Sequence, residues 1–249
     1  MAKSRFEKTS TTVSYLMLDA VKLRDQIMKA LEKRYFSNHP FMKLFYAGKL
    51  TPEQVKGWII NRYYYQKQIP LKDSIILANC NDYDARRLWL QRLMKREGVG
   101  GYKGDVEGWA TLAEAAGISR NMLENAKILP GVRLAVDAYL NFVKTVSWVE
   151  GVASSLSELL AVNELPRRIE ALRQHYRWIE PHGLEFFLER LSYIKEDIEL
   201  VLSLLAKHIT TRAMLKKCVE AACFNCDVHW LMLDAIYMEY IIPRKIQNL

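Results

Sequence analysis

Apolar residues recur three and four apart along almost the whole chain, and no segment alternates apolar and polar residues between turn signals. That spacing lays one apolar stripe along a helix and has no use on a strand, so the chain is confined to packed helices. Thr51-Pro52-Glu53-Gln54 is a helix start, with Thr as cap, Pro in the first turn and Gln at the third helical position. The helix it opens is expected from Pro52 to about Asn79, kinked at Pro70, where a backbone donor is missing. Upstream, one helix is expected from Val13 to Leu31 with Thr12 or Ser14 as cap, and a short one from His39-Pro40 to Gly48. Downstream, helices are expected from an Asp82 cap to about Glu97, then over 105–116, 119–126, Pro130 to about Thr145, and 147–162. Others run from Pro166 to about Gln174, over 181–207 and over 210–240, the last ending before Pro243. In 147–162 the small residues Gly151, Ala153, Ser154 and Ser155 admit another backbone at close range. The expected fold class is all-α, a bundle of seven to ten helices in one domain over 1–249.

The formal charge is 36 − 28 = +8. Nucleic acid, a membrane surface or an acidic small molecule would each suit it. The basic residues are scattered among Asp and Glu rather than gathered in a stripe, which argues against nucleic acid. No stretch reaches the ~18 uninterrupted apolar residues of a membrane span. The opening MAKSRFEKTSTT lacks the apolar core of a signal peptide. A cytoplasmic protein with no membrane and no nucleic-acid partner is expected, its four cysteines reduced.

The charges that point to function are Arg62, Lys72, Arg92, Arg96, Arg168 and Arg190, each within or beside apolar helical sequence where acidic partners look scarce. A charge in such a place costs several kcal/mol unless it is paired. A helical cup lined with guanidinium groups and holding a small polyanion follows, a polycarboxylate best of all, since the Arg fork grips carboxylate oxygens in pairs. Arg62 and Gln66 are four apart and share a helix face, with Tyr65 beside them. Either this trio faces a ligand or it belongs to a core helix whose hydroxyls are satisfied internally. Arg92 and Arg96 share a face in the same way, and Arg96 fits a solvated edge as well as a site. Arg190 follows Phe186-Phe187 and fits a stem laid on apolar surface with its head in water, as well as a site.

Other chemistries find little support. Cys223-x-x-Cys226-x-x-His229, with Cys218 upstream, lies on one helix and lacks the second segment a closed zinc site needs, so buried structural cysteine is expected. No histidine falls three residues after a Glu on a core helix, as carboxylate-bridged di-iron bundles require, and Glu150 and Glu158 alone make no such site. Gly98, Gly100 and Gly101 lack the Lys-Ser/Thr of a phosphate loop, and no Gly-x-Ser-x-Gly elbow occurs.

Arg62-Tyr63-Tyr64-Tyr65-Gln66, followed by Ile69-Pro70-Leu71-Lys72-Asp73 and Ala78-Asn79-Cys80, resembles the pyrroloquinoline-quinone synthase (PqqC) family. So do Leu129-Pro130-Gly131-Val132-Arg133, Ala135 to Phe142, Ser154-Ser155-Leu156-Ser157-Glu158-Leu159 and Trp230 to Ala235. The resemblance extends from about Tyr35 to Tyr240. It implies a heme-oxygenase-like helical fold, a homodimer, and an oxidase without metal or organic cofactor. That oxidase closes a ring and oxidises a tricarboxylated quinone precursor with O2. By position, Arg62, Tyr65, Gln66, Lys72, Arg92, Tyr139, Arg168 and Arg190 match the family's pocket. Five positions depart from it. Arg96 and Leu165 stand where the family has His, and Phe186 where it has Tyr. Phe36 stands at an early pocket His, and Asn225 at a late pocket Lys.

The expected roles follow. Arg62, Gln66, Lys72, Arg92, Arg168 and Arg190 bind the substrate, while Arg96, Tyr139 and Tyr65 polarise oxygen or a phenolate. With no His expected near the substrate, general acid–base catalysis forfeits roughly 10²–10⁴ in rate. The alternative is a catalytically degenerate relative that binds a polyanion or a protein partner without turnover.

Overall fold

The structure, a computed structural model, describes residues 19–242. Helix α1 (Ala20–Leu31) is capped by Asp19, whose side chain accepts from the Lys22 amide at 2.7 Å, and it buries Leu23, Ile27 and Leu31. The expected caps Thr12 and Ser14, and Pro243, lie outside the described residues. Helix α2 (Pro40–Tyr46) is capped by His39 and followed by Gly48 at φ 66°, a left-handed turn suited to glycine.

The Thr51 signal produces a complete capping box on α3 (Pro52–Asn79), which continues through Pro70. The Ser74 hydroxyl donates to the Pro70 carbonyl at 2.9 Å. Helix α4 (Tyr83–Glu97) runs from the Asp82 cap to Gly98 at φ 80°. Helices α5 (Asp105–Ala115), α6 (Arg120–Glu124) and α7 (Pro130–Thr145) follow.

Two expected elements need correction. Residues 147–162 are not one α-helix: α8 (Trp148–Ala153) tightens into a 3-10 helix, Ser154–Leu160, where the Ser154 hydroxyl back-bonds to the Gly151 carbonyl at 2.6 Å. Three residues per turn align Ser155 with Glu158, and both line the central cavity. The next helix, α9 (Ala161–His175), starts upstream of Pro166 and carries it inside. There Pro166 forfeits one early backbone bond, and the turn continues straight out of the 3-10 segment.

Helices α10 (Glu185–His208) and α11 (Arg212–Tyr240) complete the order, and among the described residues there is no strand. The fold is all-α. Helix α11 packs most extensively on α7 and the 3-10 segment, and α3 packs on α5 and α7. Gly151 behaves as its size predicts: a Cβ there would lie 2.9 Å from Ile76 Cγ1, so α8 seats directly on α3. One end of the core is aromatic, with Trp58 and Trp109 edge to face at 5.3 Å and the Trp109 indole donating to the Ile59 carbonyl at 2.9 Å.

Candidate active site

A cavity of about 90 Å³ lies between α3, α4, α5, α7, α9, α10, α11, the 3-10 segment and Tyr35-Phe36. Of the nine expected site residues, eight line it: Arg62, Tyr65, Gln66, Lys72, Arg96, Tyr139, Arg168 and Arg190. Arg92 does not. It lies behind the wall, fully buried, which corrects the expectation that it faces a ligand. Phe36, Leu165, Phe186 and Asn225 line the cavity as well.

The cations fall into two groups. The first is neutralised by the chain's own carboxylates, contrary to the expected scarcity of acids. Glu158 accepts from Arg92 Nη2 at 2.7 Å, pairs with Arg190 Nη2 at 2.8 Å, and bonds Arg96. Asp197 accepts from Arg92 Nη1 and Arg190 Nη1, each at 3.2 Å, and from Lys95 at 3.3 Å. Asp105 takes the other side of Arg96 at 2.6 Å. Burial alone would raise the Glu158 carboxyl, but Arg190, Arg92 and Arg96 hold it well below the usual carboxylate range. The same network raises Arg96 above its ordinary value despite burial, chiefly through Asp105 and then Glu158.

Lys72 belongs to this group less comfortably. It touches Asp73 and donates to Ser155 Oγ at 2.9 Å, yet neither Asp73 oxygen accepts a well-aligned hydrogen bond. Burial therefore outweighs the attraction of Asp73, and the ammonium sits below its ordinary pKa.

The second group is Arg62 and Arg168. Among the described residues neither is ion-paired. Arg62 is half-buried, stacks 3.9 Å over the Tyr65 ring, and has Nη1 2.6 Å from His229 Nδ1. Burial pulls its guanidinium down to about 10, which still leaves it charged near neutrality. Arg168 is buried at 8% exposure, faces the rings of Phe36, Trp58 and Phe187, and has an Nε without a partner. Gln66 lines the same cavity, and its side-chain amide has no hydrogen-bond partner among the described residues.

Both expected catalytic tyrosines are neutral. Burial raises Tyr65 and raises Tyr139 further. The Tyr139 hydroxyl is engaged with Ser154 Oγ at 2.9 Å.

His229 is a lining residue that the sequence reading set aside among structural cysteines. Its ring stands 4.7 Å from Tyr65 and 5.2 Å from Phe36, and it corrects the expectation that no His is near the cavity. The signal was present: Asn225 and His229 are four apart on α11 and share a face. Glu158 was missed for a different reason, since its partners are 62 and 66 residues away in sequence. Cys218 and Cys226 are buried, as expected. Among the described residues no group of three or more His, Cys, Asp or Glu is arranged to hold a metal ion.

The TENA/THI-4/PQQC family profile matches residues 25–235. A pyrroloquinoline-quinone synthase of Pseudomonas putida is 42% identical over 221 residues, 88% of each chain. Another, from Ectopseudomonas mendocina, is 43% identical over the same shares. A third, from Pseudomonas aeruginosa, is 44% identical over 84% of each. Among solved structures, a Shewanella denitrificans domain with a heme-oxygenase-like fold superposes with TM-score 0.74 at 16% identity, covering 90% of this chain and 94% of that one. A CADD-like protein of Nostoc punctiforme gives TM-score 0.74 at 12% identity over 90% and 99%.

Proposed function

Because the chain belongs to the TENA/THI-4/PQQC family and resembles its pyrroloquinoline-quinone synthases along most of its length, we propose that it is an oxidoreductase of that type, acting with O2 on a tricarboxylated quinone-like precursor. The observation that carries this reading is the pair of unneutralised guanidinium groups, Arg62 and Arg168, in the wall of one cavity. Two cations without anions make a water-poor pocket costly in the free protein and attractive to a dicarboxylate edge. Gln66 supplies an amide beside them, and Lys72 a third positive point. The space is small for a tricarboxylated quinone-like molecule, so binding widens it, and Arg62 and Arg168 are the groups with most to gain by moving.

Arg96 and Arg190 have a different role in this reading. Held by Glu158, Asp105 and Asp197, they present a fixed positive face towards charge that develops on the ligand during oxidation. Tyr65 stays protonated and donates to a developing oxyanion.

A second reading has its own observation. Phe36, Leu165 and Phe186 make part of the wall apolar, and the Tyr139 hydroxyl is already engaged, which suits a binder without turnover. Purified protein mixed with the tricarboxylated precursor separates the two. Visible-spectrum change with O2 uptake supports the oxidase, tight binding without either supports the binder, and failure to bind any polycarboxylate refutes both.

A further inference from the structure

His229 differs from the other well-buried histidine of the chain. The His39 ring is satisfied on both sides, Nδ1 accepting from the Phe41 amide at 3.0 Å and Nε2 meeting Asp234 at 2.9 Å. The less buried His208 likewise sits between the Leu204 carbonyl and Asp82. These are structural pairings, each with a carboxylate on Nε2 and a backbone group on Nδ1. His229 instead has a cation against Nδ1 and a cavity beside it.

That contact fixes the tautomer. A guanidinium carries only donors, so Nδ1, 2.6 Å from Arg62 Nη1, must be the acceptor. The neutral ring's proton is then on Nε2, which faces the Tyr65 hydroxyl at 3.2 Å. In the free protein the lone pair that would accept a proton is therefore covered by Arg62.

Resting on the carboxylate-binding reading of Arg62 above, we propose that His229 is the proton acceptor of this pocket and that the ligand itself uncovers it. A ligand carboxylate that draws Arg62 onto itself leaves Nδ1 bare and within the cavity. A C–H or N–H of the same ligand then transfers its proton to Nδ1. The ligand keeps the electron pair and gains one negative charge, and the ring becomes an imidazolium still bonded through Nε2–H to Tyr65.

The surroundings act in the same direction. The charged and titratable groups facing the ring are Arg62 and Tyr65 from α3, Arg168 from α9 and Glu158 from the 3-10 segment; Phe36 and Asn225 add no charge. Burial, then Arg62, then Arg168 push the imidazole well below its ordinary value, and Glu158, already committed to three arginines, opposes them weakly. Carboxylates placed on Arg62 and Arg168 cancel two of the three depressing causes, so proton affinity rises when a substrate is present.

The test is histidine-labelled NMR of the full chain between about pH 5 and 8, with benzene-1,3,5-tricarboxylate as probe and its binding measured separately by calorimetry. The His229 signal is assigned by its loss in His229→Gln or, should that variant not fold, by cross-relaxation with the Tyr65 and Phe36 rings. Without probe the ring is expected neutral with the proton on Nε2. With probe bound its proton affinity is expected to rise at least tenfold, about one pKa unit or more. Arg62→Met without probe is expected to give a rise of the same sign. Probe binding with an unmoved His229 signal overturns this inference alone. Absence of probe binding overturns it together with the carboxylate reading. An unchanged ring in Arg62→Met overturns the masking of Nδ1.

Discussion

Two substitutions in the lining of one cavity are expected to affect stability differently, one lowering it and the other leaving it level or raising it. In Glu158→Gln, the charges Arg92, Arg96, Arg190 and Lys95 lose the one carboxylate that three of them share and keep Asp197, Asp105, Asp73 and Glu196. Removing one partner from a buried ionic network costs about 3–5 kcal/mol. The Glu158 side chain is 21% exposed, which places the cost towards the lower figure. For a chain of this size that lowers Tm by roughly 6–20 °C. In Arg168→Met, a buried guanidinium with no anion is replaced by a flexible apolar chain among Phe36, Trp58 and Phe187. Relief of desolvation, about 1–3 kcal/mol, exceeds or offsets the ring contacts given up, about 0.5–2 kcal/mol. The variant should unfold at the wild-type temperature or a few degrees above it. Thermal unfolding by circular dichroism, with urea midpoints as a second readout, compares the two. If Arg168→Met falls as far as Glu158→Gln, Arg168 is a structural cation and the division of the pocket into paired and unpaired charges is wrong.

Benzene-1,3,5-tricarboxylate affinity should drop by roughly 10–100-fold in Arg62→Met and in Arg168→Met, the worth of one charge-assisted contact each, as read by calorimetry. Acid should weaken the fold through Glu158. Its folded-state pKa is depressed, so its contribution is full above the unfolded carboxylate value of about 4.3 and fades as pH falls below it. Urea midpoints across that range should show a shallower slope in Glu158→Gln. Gly151→Ala should cost about 1–3 kcal/mol, because the new Cβ would lie 2.9 Å from Ile76 Cγ1. Here too the urea midpoint is the readout.

The legible parts of this fold were those written locally. The capping box at Thr51, the Asp82 cap and the glycine stop at Gly98 each depend on residues within four of one another. The start of α9 was misread because Pro166 resembles a first-turn proline, while the preceding 3-10 helix supplies the turn that carries the chain through it. In the site, the face shared by Arg62 and Gln66 was visible from spacing alone. The neutralisation of Arg92 was not: its acids arrive from the 3-10 segment and α10, 66 and 105 residues downstream, and spacing on one helix says nothing about them. His229 was hidden by its neighbours Cys223 and Cys226, which directed attention to metal ligation rather than to the face it shares with Asn225.

Glu158 also gives the hollow a sidedness. Where Arg96 and Arg190 clasp it, the wall is closed, each cation already holding an anion, whereas elsewhere the lining presents Arg62 and Arg168 with no anion to hold. A guest is therefore oriented before any of its bonds change, acidic edge towards α3 and α9. On its departure the closed wall needs no counterion, since the chain has kept its own in place.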